Sequence, residues 1–391
     1  MPVRRTKRGA ARTPLRGDAD VLICGASFAG LAVARELAGA GARVMMIDRY
    51  EIGERQTSAC AAPTDWLVNL GLEGSIRQTF SELVVHTPHA TARYPLPFTF
   101  STFDYRELCA LLDDQNDAEF DTATVDGRTG DTVHTDRGDL TAPLIVDGLG
   151  WRRILGPSSN YQPPGAPLSR GLEVHPNGTS DDLEIWIDRR YVPAGYGWSF
   201  PAGDELRIGV GSFDPRFHVK DTTVLLAEDR GRDPVRYQGN WIPHRIRAAT
   251  EDRVFFVGDS AGHCLPLTAE GIRTAFYFGI ACGRELRAVV DGERDRHEAL
   301  RRYGEFSDAH AWKFDWMLRV QRAVPRVPPR LLAPAIRLMS SEAFVRWSFT
   351  HYLNIAHPSF PAPPARAAGA VRAGPLVAHA ASSRTSTRAR R

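Results

Sequence analysis

The chain has 391 residues, of which 43% are hydrophobic and 24% charged, enough for a large domain with a smaller one beside it. Its net charge of +3 is uneven: residues 1–17 and 366–391 carry six basic groups each and no acid, which leaves −9 for the part between. An acidic body excludes a nucleic-acid groove, and five dispersed cysteines without a C-x-x-C pair exclude a disulfide framework and a zinc site.

Residues 1–17 read as a disordered basic tail. Arg4 and Arg5 precede an apolar stretch, as in a twin-arginine export signal. That stretch doubles as a nucleotide-binding strand and helix, so cleavage there would destroy a site, and the export reading is rejected. From residue 18 the pattern changes. Val21–Cys24 is an apolar run of strand length, Gly25, Ser27 and Gly30 form a tight turn, and the residues after it follow helical spacing. A strand, turn and helix in this order seat a dinucleotide pyrophosphate on the helix N-terminus, where unpaired N–H groups face it. Ser27 stands at the middle glycine of G-x-G-x-x-G. A second strand ends in Asp48 and Arg49, where an acidic side chain can hydrogen-bond ribose hydroxyls.

Cys60, on its residues alone, reads as a small buried side chain ahead of a helix over 63–70. Residues 103–160 predict a helix over 105–113 and strands leading to Asp147. Residues 82–100 and 161–249, rich in β-branched and aromatic side chains, predict an antiparallel sheet. Within it Tyr196, Trp198, Phe200 and Pro201 form an aromatic strand end, read either as sandwich core or as the wall of an apolar pocket. Gly209 and Gly211 make a G-x-G that lacks the helix a nucleotide motif needs.

A further strand runs into Gly258, Asp259 and Gly262, and a helix starts at Gly271 and Ile272. Asp259 would accept a hydrogen bond from a ribityl hydroxyl, and the helix dipole would favour negative charge on a flavin ring. Residues 300–357 predict terminal helices. Their apolar stripe, including Trp316, Leu331, Leu338 and Trp347, reads as a packing face, with a peripheral membrane foot as the alternative. Residues 361–391 read as a second disordered basic tail. No run is long and uncharged enough to span a bilayer, so the expected location is the cytoplasm, with peripheral membrane contact as an option.

The Tyr-x-Trp-x-Phe-Pro string at 196–201, the Gly258-Asp259 stretch and Arg106 after Phe103-Asp104-Tyr105 resemble the geranylgeranyl reductase group of the para-hydroxybenzoate hydroxylase-like flavoproteins. The likeness spans residues 18–290. Two positions depart from the group: Trp151 replaces a serine after Asp147-Gly148, and Ala269 replaces a glycine before Glu270. The implied architecture is α/β. A Rossmann-like FAD-binding domain (18–81, 101–160 and 250–298) carries an interposed antiparallel β-sheet substrate domain (82–100 and 161–249) and C-terminal helices (299–360).

The resemblance implies FAD held by Gly25, Ser27, Gly30, Asp48, Arg49, Arg106, Asp147, Gly258, Asp259, Gly262, Gly271 and Ile272. It also implies Cys60 near the isoalloxazine, sharing catalysis with Tyr196 and Trp198, and a substrate packed on Tyr196, Trp198, Phe200 and Pro201. The electron donor would be NAD(P)H or a reduced electron-transfer protein, and the substrate a prenyl lipid or similar apolar molecule whose carbon–carbon double bonds accept hydride from reduced flavin. A monooxygenase acting on an apolar or aromatic molecule is the alternative, and a flavin-stabilised carrier a third. Halogenation is disfavoured, because the three lysines, Lys7, Lys220 and Lys313, leave none between the nucleotide loop and Tyr196, where such enzymes carry one.

Overall fold

The computed structural model describes residues 13–56, 58–156 and 168–361. Expectations for the tails therefore fall mostly outside it, with one correction. Residues 13–17 are ordered: Leu15 is fully buried, and Gly17–Asp18 pairs in parallel with Gly138–Thr141.

The sheet that seats a nucleotide has six strands in the order Thr250–Glu251, Val254–Phe256, Leu144–Asp147, Val21–Cys24, Val44–Asp48 and Glu119–Thr122, parallel except for the first pair. Its central strands are buried on both sides, as their unbroken apolar runs require. Val21–Cys24 continues into helix α1 (Phe28–Glu36), and the chain crosses to Val44–Asp48 on one side while Leu144–Asp147 flanks the other. Ligands of open α/β sheets bind at such a reversal of strand order, outside the carboxyl ends. A four-stranded sheet made of Gly17–Asp18, Gly138–Thr141, Thr132–Thr135 and Val125–Thr129 lies beside it in sequence.

The third sheet has eight strands: Gln238–Pro243, Leu168–Val174, Glu205–Ser212, Gly195–Ala202, Leu183–Trp186, Ile76–Thr87, Ala90–Phe103 and Ala61–Pro63. Its pairing is antiparallel save that Leu183–Trp186 runs parallel to Ile76–Thr87. The hairpin strands extend beyond the expected 82–100, from Ile76 to Phe103. The region read as wholly β also contains a helix, Lys220–Asp229. Its buried positions Thr223, Leu226 and Ala227, with Val219 before them, follow helical spacing; Val219, Leu226 and Ala227 pack with Val174, Ile208 and Val210 of the sheet, and Thr223 Oγ1 donates to the Leu172 carbonyl.

Numbered in chain order, the remaining helices are α2 (Thr64–Asn69), α3 (Tyr105–Asp113), α4 (the Lys220–Asp229 helix), α5 (Ile272–Val290), α6 (Arg296–Asp308), α7 (Ala311–Ala323), α8 (Pro329–Met339) and α9 (Glu342–Leu353). Among the described residues no helix is long and apolar enough to cross a membrane.

Candidate functional site

The carboxyl ends of the parallel strands and one face of the eight-stranded sheet enclose a cavity of about 1860 Å³. This exceeds the roughly 300–1,000 Å³ that one small ligand occupies and leaves room for a cofactor and a substrate together. At the nucleotide end the wall is Ala26, Ser27, Phe28 and Ala29, so the N-terminus of α1 opens into it. The first turn of α1 holds no acid and Ser27 makes no side-chain cap, which leaves its N–H groups available to an anion. Gly25 adopts a φ of +112°, and a Cβ on Gly30 would lie 1.8 Å from the Gly25 carbonyl oxygen. Both glycines thus shape the turn from behind without lining the cavity.

Asp48 accepts hydrogen bonds from the backbone N–H groups of Ala26 (2.8 Å) and Tyr50 (3.1 Å), locking this turn to the end of its strand, and burial raises its pKa. Asp147 acts similarly from complete burial: it accepts from Leu149 N, Leu155 N and Ser260 Oγ at 2.9, 2.9 and 2.7 Å. It joins the 148–155 and 258–262 loops and stands behind the wall. Gly262 also lies behind it, where a Cβ would meet the Arg245 carbonyl at 1.9 Å.

Gly258, Asp259, Gly271 and Ile272 line the cavity from the 258–272 segment, and Arg49 lines it next to Asp48. Asp259 is the clearest ligand group. Its carboxylate borders the cavity, accepts no hydrogen bond from another described residue, and burial, partly offset by Arg247, pushes its pKa up to about 6. An unpaired acceptor in that position suits a ribityl hydroxyl. Because the folded-state pKa lies above the ordinary 3.8, the cost of ionising Asp259 is complete above pH 6 and absent below about 4. Asp259→Asn is therefore expected to weaken FAD binding while stabilising the apoprotein at neutral pH by roughly 1–3 kcal/mol. Thermal melts of flavin-free protein at several pH values test this, since the gain must vanish in acid.

Two residues expected at the cofactor stand away from the cavity wall. Arg106 is exposed and does not line the cavity; it is the preceding residue, Tyr105, whose ring does, with its hydroxyl 3.0 Å from Ser27 Oγ. The reason is helical geometry, since neighbours on α3 point about 100° apart. Cys60 is fully buried behind its wall-lining neighbours Ser58, Ala59 and Ala61. Its thiol donates to the Ser58 carbonyl at 3.2 Å, and burial raises its pKa well above the ordinary value, which keeps it protonated. Such a thiol has no access to a ring in the cavity.

On the substrate side, Tyr196, Trp198 and Phe200 line the cavity, whereas Pro201, of opposite parity in the same strand, does not. The other face of that strand meets α4, as the proximity of Gly197 to Leu226 shows. Leu83, Val85, Tyr94, Leu96, Phe100, Leu183 and Ile185 extend the apolar wall. The Trp198 indole lies across neighbouring strands on Gly209, Gly211 and Gly171; a Cβ at 209 would come within 2.2 Å of its Cζ2. The Gly209–Gly211 pair is thus a seat for a tryptophan. Gly209→Ala should displace the indole, cost about 1–3 kcal/mol of stability and raise the substrate KM, with flavin content preserved in the visible spectrum.

Sequence reasoning missed the polar bracing of this wall. Trp198 Nε1 donates to the buried Glu173 (3.1 Å), which also pairs with His175 at 2.9 Å. Burial opposes charge on His175, but Glu173 and Glu205 outweigh it and lift its pKa to about 9. Its stabilising effect is therefore complete below its ordinary 6.5 and is lost as pH rises through 9. Arg207 donates to the carbonyls of Ala59 and Cys60, so one strand braces both walls. Also missed were Trp151 and Trp241, and the contributions of α7–α9 to the cavity. Charged residues inside apolar strands were the available signal for Glu173 and Arg207.

Residues 18–86 match the family model described as an FAD binding domain. Digeranylgeranylglycerophospholipid reductase 3 of Methanosphaera stadtmanae is 24% identical over 333 residues, covering 76% of this chain and 84% of its own. Among solved structures, a geranylgeranyl bacteriochlorophyll reductase-like protein from Thermoplasma acidophilum superposes with a TM-score of 0.75 at 16% identity, covering 88% of this chain and 98% of that one. The flavin-dependent brominase Bmp2 shares the fold with a TM-score of 0.57 at 15% identity, over 86% of this chain and 100% of its own. The chain is an FAD-dependent oxidoreductase. Curated relatives that it matches include geranylgeranyl and digeranylgeranylglycerophospholipid reductases.

Proposed function

We propose that this protein reduces carbon–carbon double bonds of a prenyl chain or similar apolar substrate. The observation that carries the reading is one continuous cavity, with the nucleotide-shaped turns at one end and a largely apolar sheet face at the other. The names of the curated relatives support it. FAD, when bound and reduced, would supply the hydride, and a proton from an acid or water would complete the reduction.

The chain's own residues bind, orient and exclude water. Leu83, Val85, Leu183 and Ile185 face an extended apolar chain, and the burial of such surface is favourable by about 25 cal/mol per Å². Trp198 and Phe200 bound the chain at the nucleotide side. Tyr196 donates its hydroxyl to the Thr268 carbonyl at 2.5 Å, tying the substrate strand to the loop before α5. Burial raises the Tyr196 pKa, so it holds its proton at Oη at neutral pH, keeps the bond to Thr268 and presents its ring to the substrate.

Electrons are assigned to NAD(P)H or a small reduced electron-transfer protein. An anionic nucleotide is favoured by a separate stretch of wall where Arg152 lies 5.2 Å over Trp151 and Arg170 lies 5.1 Å over Trp241. Stopped-flow reduction with NADH, NADPH and reduced ferredoxin compares these donors directly. The decisive experiment is anaerobic single turnover on polyprenyl lipids followed by mass spectrometry. A product that gains two hydrogens per flavin oxidised is expected; oxygen-18 from labelled dioxygen in the product would establish the monooxygenase alternative instead.

A further inference from the structure

A side chain that lines a cavity and yet faces solvent marks the cavity's opening. Trp312, Trp316, Met339 and Trp347 do both, with exposures of 67, 59, 42 and 56%. They come from three consecutive helices, α7, α8 and α9. Leu331 and Leu338, seven residues apart on α8, add exposures of 60 and 77% outside the cavity. Exposed large apolar side chains scattered singly need no explanation, but a group around one opening does.

Charge accompanies this apolar rim. Residues 311–353 carry seven basic side chains and two acidic ones, a net of +5 within a body that is otherwise strongly acidic. Arg319, Arg322, Arg326, Arg330 and Arg337 are exposed and form no ion pair with another described residue. Solvent-facing tryptophan and leucine among unpaired arginines is the composition of a surface that lies in the interfacial layer of an anionic bilayer. A protein partner of matching acidity would account for the arginines, but not for three tryptophans placed around a cavity with an apolar interior.

We propose that α7–α9 form a docking platform for an anionic lipid bilayer. Trp312, Trp316, Trp347, Leu331 and Leu338 enter the headgroup region, the arginines meet lipid phosphates, and the cavity opens toward the acyl chains. An apolar substrate then passes from bilayer to cavity without crossing water. The delivery step rests on the prenyl-substrate reading; the docking itself does not.

The test uses the full-length, flavin-loaded protein in flotation with vesicles of phosphatidylcholine alone or mixed with phosphatidylglycerol. Flotation with the mixed vesicles, weakened by salt, is expected. Leu331→Ser/Leu338→Ser should lower the partition coefficient at least about tenfold, and Arg330→Ala/Arg337→Ala about fivefold per arginine. None of these four residues lines the cavity, so flavin content and turnover of a detergent-dispersed substrate should be unchanged. Unaltered flotation of both variants would overturn the proposal and transfer binding to the basic tails. A dimer in light scattering that Leu338→Ser dissolves, without flotation of the parent protein, would overturn it in favour of a second copy. Vesicle binding without turnover would leave the platform standing and count against the prenyl reading alone.

Discussion

Arg273→Leu is expected to destabilise the protein by about 3–5 kcal/mol and to release the terminal helices from the cavity. The guanidinium is fully buried near the start of α5. It grips Glu270 with two parallel bonds of 2.8 Å and donates its remaining Nη1 to the carbonyls of Tyr352, Leu353 and Ala356 at 3.2, 3.0 and 3.0 Å. Those carbonyls lie at the end of α9 and in the turn after it, where they also accept from Ile355 N, Ala356 N and Trp66 Nε1, so the guanidinium reinforces a junction that the backbone and Trp66 share. The Tyr352 hydroxyl also donates to Glu270, so a single ion pair fastens the 265–271 loop, α5 and the end of α9. Leucine leaves the Glu270 carboxylate buried and unpaired, which is the costly half of breaking a buried pair. The check is a denaturant midpoint together with limited proteolysis between α7 and α9. Replacing both partners, Glu270→Met with Arg273→Leu, should recover much of the loss, because the desolvation penalty goes with the charges. Equal destabilisation by the single and double variants would show that the carbonyl contacts, and not the pair, hold the helices.

The nucleotide end of the site was legible because its requirements are local. A turn that brings backbone against a pyrophosphate must be glycine-rich, follow a strand and open a helix, and the segments at 21–37 and 254–272 fulfil that in sequence order. What was not legible depends on tertiary placement. Gly25, Gly30, Asp147 and Gly262 belong to the motifs, yet they shape or fasten loops from behind the wall. Tyr105 displaced Arg106 as the wall residue through one step of helical rotation, which spacing alone does not orient. Cys60 has neighbours on the surface and a thiol in the core. The Gly209–Gly211 pair had no reading as a seat for Trp198 until the register paired Trp198 with Gly209 across adjacent strands. The terminal helices carried a hydrophobic stripe whose exposure, and hence its meaning, is set by what fails to pack on it.

The same distinction governs Gly30→Val, for which complete loss of bound FAD is expected. The atom that a Cβ at this position would strike is the Gly25 carbonyl oxygen, at 1.8 Å, with the carbonyl carbon at 3.0 Å. Backbone cannot rotate aside as a side chain would, so the turn must open or α1 must shift. Either displaces the N–H groups of residues 28 and 29 from the cavity wall. A shift of α1 also reaches α5, whose Gly279 packs so closely that its own Cβ would lie 2.7 Å from the Ala29 carbonyl. Since α5 begins at the opposite wall, beside Gly271 and Asp259, both ends of the cofactor site lose their alignment. Asp259→Asn, by contrast, removes one acceptor from an intact wall and should lower affinity without abolishing it. The two variants are separated by flavin absorbance during titration with added FAD: Asp259→Asn should recover colour at high FAD, and Gly30→Val should not. Recovery of stoichiometric flavin by folded Gly30→Val would show that the turn yields more readily than its backbone contacts allow, and that α1 does not anchor the pyrophosphate.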